Sequence, residues 1–189
     1  MTNIFVKLLP NVLTTLRLIL ALPISLLILN ENYPAVLWLA LLAGLSDGID
    51  GYLARRFNAL TYYGAVVDPL ADKVLLLSTY IAFAVIGLLA YWIVAIVIIR
   101  DLLIISGALI YRSKFGRFKM VPSLWGKIST VVQISFALML IMQQVYPVLP
   151  EFFLQIAMWI VVVLAFISGS HYFYTWRGKI ITTKKTPAG

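Results

Sequence analysis

Cysteine is absent from this 189-residue chain, and histidine occurs once. The first absence excludes disulfides, cysteine metal ligands and thiol catalysis. Charge is also scarce. Only 12% of residues are Asp, Glu, Lys or Arg, against about 25% in a typical soluble domain, while 62% are hydrophobic. A soluble domain needs a polar skin that this composition does not supply. A cleavable leader is not expected either, because the first apolar stretch contains Arg17 and no small-residue cleavage pattern follows it.

Long apolar runs take the place of what is missing. Val74–Ile99, Ile128–Pro150 and Phe152–Trp176 contain no Asp, Glu, Lys or Arg, and each is long enough for a bilayer core that needs about 20 residues. Turn signals then divide the chain into six spans, near residues 11–29, 34–57, 62–87, 89–111, 124–146 and 152–176. "PN" opens the first, "NENYP" precedes the second, length rather than a turn signal sets the split between the third and fourth at Gly87, and "PVLPE" separates the last two. The expectation is an all-α, polytopic membrane protein with six transmembrane helices. Residues 1–10 read as a juxtamembrane segment, 11–176 as the six-helix domain and 177–189 as a basic tail.

Charge distribution orients this arrangement. With the N-terminus inside, the inner connections hold Arg56, then Arg112, Lys114, Arg117 and Lys119, then Arg177, Lys179, Lys184 and Lys185; the outer ones hold only Glu31 and Glu151. The positive-inside tendency therefore predicts that both termini are cytoplasmic. The net charge of +8 is read in the same way, as orientation and phosphate binding at a bilayer, with no nucleic acid as partner.

Four of the seven acidic residues lie between positions 47 and 72. Asp47 and Asp50 are three apart near the end of the second span, and Asp68 and Asp72 are four apart in the first turns of the third, so each pair shares a helix face. A turn around 58–62 brings these helix ends together. Bare carboxylates there repel one another and are costly to bury. Ion pairing with Arg55, Arg56 and Lys73 would relieve them; so would a proton or cation transport path, or bound metal. Oxygen-only ligation without histidine or cysteine suits Mg²⁺ or Mn²⁺. Gly48, Gly51, Ala54 and Gly64 keep the neighbouring surface thin, either for a bulky ligand or for close helix packing. Arg55, a turn from Asp50, suits a ligand phosphate or an ordinary flanking charge.

The eight positions Asp47-x2-Asp50-Gly51-x2-Ala54-Arg55-x8-Gly64-x3-Asp68-x3-Asp72 resemble the complete signature of the CDP-alcohol phosphatidyltransferase family. "PNVLTTLRL" is similar to that family's first-span opening, and "VDPLADK" and "WGKIST" to the bacterial branch that makes phosphatidylglycerophosphate. The resemblance implies two divalent metal ions, Mg²⁺ or Mn²⁺, held by Asp47, Asp50, Asp68 and Asp72. It also implies that Asp72 acts as base toward the acceptor hydroxyl, and that Gly51, Arg55 and Gly64 line the nucleotide and phosphates of CDP-diacylglycerol. Arg17 is a further candidate for those phosphates or a partner for Asp47 or Asp50. The implied location is the bacterial inner membrane with the active site facing the cytoplasm, and the implied assembly a homodimer among bilayer lipids.

The expected reaction transfers a phosphatidyl group from CDP-diacylglycerol to glycerol 3-phosphate, giving phosphatidylglycerophosphate and CMP. Arg100, Arg112 and Lys127 are the candidates for the acceptor phosphate. Arg100 lies inside the fourth span, where an ionisable residue points to function, and Asp101 either neutralises it or points toward Lys73. The stretch "IIRDLLI" departs from the "REI"-like pattern of that branch and is similar to cardiolipin-forming members, which use phosphatidylglycerol as acceptor. A divalent-cation transporter explains the buried acids but not the Gly-Ala-Arg spacing.

Overall fold

Six helices account for the regular structure of the computed structural model: α1 (Ile4–Leu29), α2 (Tyr33–Arg56), α3 (Tyr62–Val85), α4 (Tyr91–Phe115), α5 (Leu124–Val145) and α6 (Glu151–Lys184). The structure describes the backbone of residues 4–56, 62–115 and 124–184, and the side chains of 15, 18–45, 71–107 and 124–172. The all-α expectation and the element order hold. α1 begins at Ile4, ahead of Asn11, and α6 continues beyond Trp176 to Lys184. Arg177, Lys179 and Lys184 in that extension are good helix formers, and cations near a helix C-terminus are favoured by the helix dipole.

The helix ends have local causes. After α3, Gly87 adopts φ 78°, its N–H donates to the Ala84 carbonyl at 3.2 Å, and the Leu88 N–H donates to that of Phe83 at 2.9 Å. This pair of bonds is a Schellman motif, which places a left-handed residue at the position Gly87 occupies. The end of α1 repeats it with a residue less suited to that conformation. Glu31 has φ 55°, and the N–H groups of Glu31 and Asn32 donate to Ile28 and Leu27, each at 2.9 Å. Asn32 then caps α2, its Oδ1 accepting from the Ala35 N–H at 3.4 Å.

Two units compose the chain: Met1–Ala90 with Ala137–Val148, and Tyr91–Phe136 with Leu149–Gly189. In the first, α1 packs against α2 and α3. Ile28, Val36, Tyr80 and Phe83 are fully buried there, and the Tyr80 and Phe83 rings meet with centroids 6.4 Å apart. In the second, α4 packs along α6, with Ile93, Val97, Val161 and Ala165 in its core and the Trp92 and Trp159 rings 5.9 Å apart.

The expectation of six transmembrane helices with both ends inside does not stand. Among the described residues two helical segments, Leu124–Val145 and Glu151–Tyr172, are long and apolar enough to cross a membrane. Leu18–Leu29 of α1 and Tyr33–Leu45 of α2 are shorter apolar stretches among the described residues, and in α4 the pair Arg100 and Asp101 lies within the apolar run. In the two segments that qualify, 33% and 22% of residues are buried within the protein. A core helix of a soluble protein would be mostly buried, so these apolar faces support membrane association. Leu22 on α1 and Trp38 and Leu45 on α2 are exposed apolar side chains as well.

Candidate active site

The acidic signature falls on α2 and α3. α2 continues unbroken through Asp47, Asp50, Gly51 and Arg55 to Arg56, and α3 runs from Tyr62 through Gly64, Asp68 and Asp72. Both pairs lie on helical backbone, where spacings of three and four residues fall on one face of the helix that carries them. The side chains of Asp47, Asp50, Arg55 and Asp68 lie outside the described residues, as do Gly51 and Gly64 in their surroundings, Arg17 on α1 and Arg112 on α4. Asp72 and Lys73 are described; both are half-buried and each takes part in a polar or electrostatic interaction. No group of three or more His, Cys, Asp or Glu side chains comes together among the described residues, and three of the four signature aspartates fall outside them. The donor set itself, carboxylate oxygen without sulfur or imidazole, fits a hard divalent cation.

The second unit contains a polar joint that is described in full. Arg100 on α4 is 4% exposed. Its Nη1 donates to Oδ1 of Asp101 at 2.5 Å, and its Nη2 donates to Oγ of Ser168 on α6 at 2.7 Å and to the carbonyl of Gly126 on α5 at 3.2 Å. Nε is buried without a hydrogen-bond partner. One guanidinium thus links three helices, as its rigid fork of donors allows. Charge burial explains the arrangement, since an arginine taken out of water needs a counterion and partners for its N–H groups. Of the two alternatives for Asp101, pairing with Arg100 is the observed one. Arg100 is an internal link through Nη1 and Nη2, with Nε left without a hydrogen-bond partner.

Lys127 follows Gly126 directly and is exposed. The Arg100 bond therefore reaches the first turn of α5, where this lysine stands. Thr130 Oγ1 also donates to the Gly126 carbonyl, at 3.1 Å. Beside the joint, a groove of about 590 Å³ between α4 and α6 is lined by Ile99, Arg100, Leu103, Phe166 and Gly169 among others. Ser168 escaped the sequence reading. Its signal was the polar break "SGS" in an otherwise apolar helix, because a hydroxyl buried among apolar side chains needs a partner.

Comparison with known proteins adds a family and relatives. Residues 7–167 match the family model described as CDP-alcohol phosphatidyltransferase. The chain is 35% identical over 133 residues to a probable phosphatidylglycerophosphate synthase of Mycobacterium tuberculosis, covering 66% of this chain and 61% of that protein. It is 38% identical over 128 residues to the CDP-diacylglycerol--glycerol-3-phosphate 3-phosphatidyltransferase of Aquifex aeolicus, covering 65% and 68%. Against the CMP-forming cardiolipin synthase of Rattus norvegicus it is 27% identical over 192 residues, covering 93% of this chain and 63% of that one. The matched region contains all four signature aspartates, Arg100 and Lys127.

Proposed function

The chain belongs to the CDP-alcohol phosphatidyltransferase family, and from that premise we propose that it transfers the phosphatidyl group of CDP-diacylglycerol to glycerol 3-phosphate. The products are phosphatidylglycerophosphate and CMP. One observation carries the reading: the eight-position signature, complete and in register, lies within the matched region on two unbroken helices.

Asp47, Asp50, Asp68 and Asp72 would hold two divalent cations, Mg²⁺ or Mn²⁺, which when bound would supply neutralising charge for the diphosphate and for departing CMP. Asp72 takes the proton from the acceptor hydroxyl. The hydroxyl oxygen then bonds to the phosphorus that bears diacylglycerol, as the bond from that phosphorus to the CMP oxygen breaks. Gly51 and Gly64 present no side chain and so admit the nucleotide to the helix backbone, while Arg55, with Arg17, pairs with donor phosphate oxygens. Lys127 and Arg112 pair with the acceptor phosphate, Lys127 being solvent-exposed, and the buried Arg100 adds positive charge behind them.

The substrates govern location. CDP-diacylglycerol and its product stay in lipid while CMP and glycerol 3-phosphate are soluble, so the site opens to the cytoplasmic face of a bacterial inner membrane. The working assembly is a homodimer with one site per subunit.

A second reading, transfer to phosphatidylglycerol to form cardiolipin, draws support from the extent of the rat cardiolipin synthase match and from "IIRDLLI". A competition assay separates the two. Purified protein with CDP-diacylglycerol and Mg²⁺ or Mn²⁺ is offered glycerol 3-phosphate, phosphatidylglycerol and inositol phosphate, and the lipid products are resolved by mass. Phosphatidylglycerophosphate is the expected main product, with stoichiometric CMP. Cardiolipin as main product transfers the assignment to the second reading.

A further inference from the structure

The Arg100 joint bears on the acceptor in a way that neither the family signature nor the relatives' names contain. Ser168 is fully buried, and its hydroxyl accepts from Nη2 of Arg100 at 2.7 Å. The same Nη2 donates to the Gly126 carbonyl at 3.2 Å. Gly126 is the residue before Lys127, in the first turn of α5. A nitrogen shared between two acceptors on different helices holds each relative to the other, because its two N–H bonds lie at a fixed angle in one plane.

We propose that Ser168 and Arg100 are positioning residues for Lys127. The Ser168 hydroxyl orients the guanidinium, the guanidinium fixes the Gly126 carbonyl, and the start of α5 is thereby held where the Lys127 ammonium meets the acceptor phosphate. Asp101 supports the relay by occupying Nη1, which keeps the fork from rotating. Burial favours this role over direct contact: at 4% exposure, with Nη1 and Nη2 both engaged, Arg100 acts on an acceptor through what it holds. The proposal rests on the reading of Lys127 as the acceptor-phosphate ligand. A misplacement of the ammonium by a fraction of an ångström weakens an ion pair with phosphate without touching the donor lipid.

Steady-state kinetics with CDP-diacylglycerol and glycerol 3-phosphate test it, using the full chain and the variants Ser168→Ala, Ser168→Thr, Arg100→Lys, Lys127→Ala and the double variant Ser168→Ala/Lys127→Ala. Ser168→Ala is expected to raise KM for glycerol 3-phosphate about three- to tenfold, the size expected when a charge-assisted hydrogen bond is lost and partly felt at a distance. KM for CDP-diacylglycerol stays within twofold. Ser168→Thr keeps the hydroxyl and restores the acceptor KM. In the Lys127→Ala background, Ser168→Ala adds less than twofold, because the group it positions is gone.

Should Ser168→Ala fail to fold, Arg100→Lys carries the test. It keeps a charge opposite Asp101 but cannot reach Ser168 and Gly126 together, and it gives the same split between the two KM values. A purely architectural joint raises both KM values equally, or acts undiminished in the Lys127→Ala background, and either result overturns the relay. If Lys127→Ala raises the acceptor KM while Ser168→Ala leaves it unchanged, the relay fails and the reading of Lys127 survives. If Lys127→Ala leaves the acceptor KM unchanged, both fail.

Discussion

The acidic signature of the first unit and the buried arginine of the second both put charge into apolar helices, but they differ in how that charge is compensated. Asp47, Asp50, Asp68 and Asp72 outnumber the basic residues beside them in sequence, Arg55, Arg56 and Lys73. Such a surplus of carboxylates suits a cation from outside the chain. Arg100 has its counterion in the next residue and its remaining partners on α5 and α6, all supplied by the protein itself. Surplus charge of one sign is therefore read as chemistry, and charge matched within the fold as architecture that serves the chemistry.

The largest effect should break the first half of this contrast. Asp68→Asn preserves shape and removes one negative ligand, and CMP release from CDP-diacylglycerol should fall by about 10³-fold, within the range typical of lost metal or acid–base groups. Insertion and thermal unfolding should change little. Chelation of divalent cations should abolish release in the parent protein, and added Mn²⁺ or Mg²⁺ should restore it. Only a few-fold loss on both counts would mean that Arg55, Arg56 and Lys73 compensate the aspartates, and the first unit would be an ion-pair network.

The second half predicts a stability effect. Arg100→Met leaves Asp101 half-buried without its cation and Ser168 without its donor, and should cost about 3 kcal/mol. The double variant Arg100→Met/Asp101→Leu should recover most of this, because a buried ion pair replaced as a whole by apolar groups costs far less than a pair broken. Thermal unfolding in detergent measures both. Equal destabilisation by the single and double variants would show that the pair is not the source of the joint's strength.

The acidic signature was legible in the sequence because helix periodicity is local. Once α2 and α3 exist, Asp47–Asp50 and Asp68–Asp72 share faces whatever the rest of the chain does. The helix divisions were legible too, "NENYP" by its turn residues and the split at Gly87 by length, and these ends proved to be Schellman turns and an Asn32 cap. Ser168 was not, because nothing near it in sequence names a partner 68 residues away. Six crossings are not supported: among the described residues two helical segments are long and apolar enough to cross a membrane.

Within the first unit, its turns separate scaffold from site. Gly87→Ala forces a side chain into φ 78° and should destabilise by about 1 kcal/mol. Turnover at low temperature should be unchanged, since α3 keeps its register at Asp72. A loss of turnover beyond the loss of folded protein would tie this turn to the acidic site.

Glu31 should give the smallest effect, and with the opposite sign. It occupies the same place in the turn after α1 that Gly87 occupies after α3, with φ 55°, a conformation costing a non-glycine residue roughly 1 kcal/mol. Glu31→Gly relieves that strain but adds freedom to the unfolded chain, which offsets about 0.5–1 kcal/mol of the gain. Glu31→Asn tolerates the left-handed region without that entropic loss, so it should be the better of the two, stabilising by a few tenths of a kcal/mol. Thermal unfolding should therefore rank Asn above Gly and Gly at or slightly above the parent. Asn below the parent would show that the Glu31 side chain contributes more to the turn than its backbone strain costs.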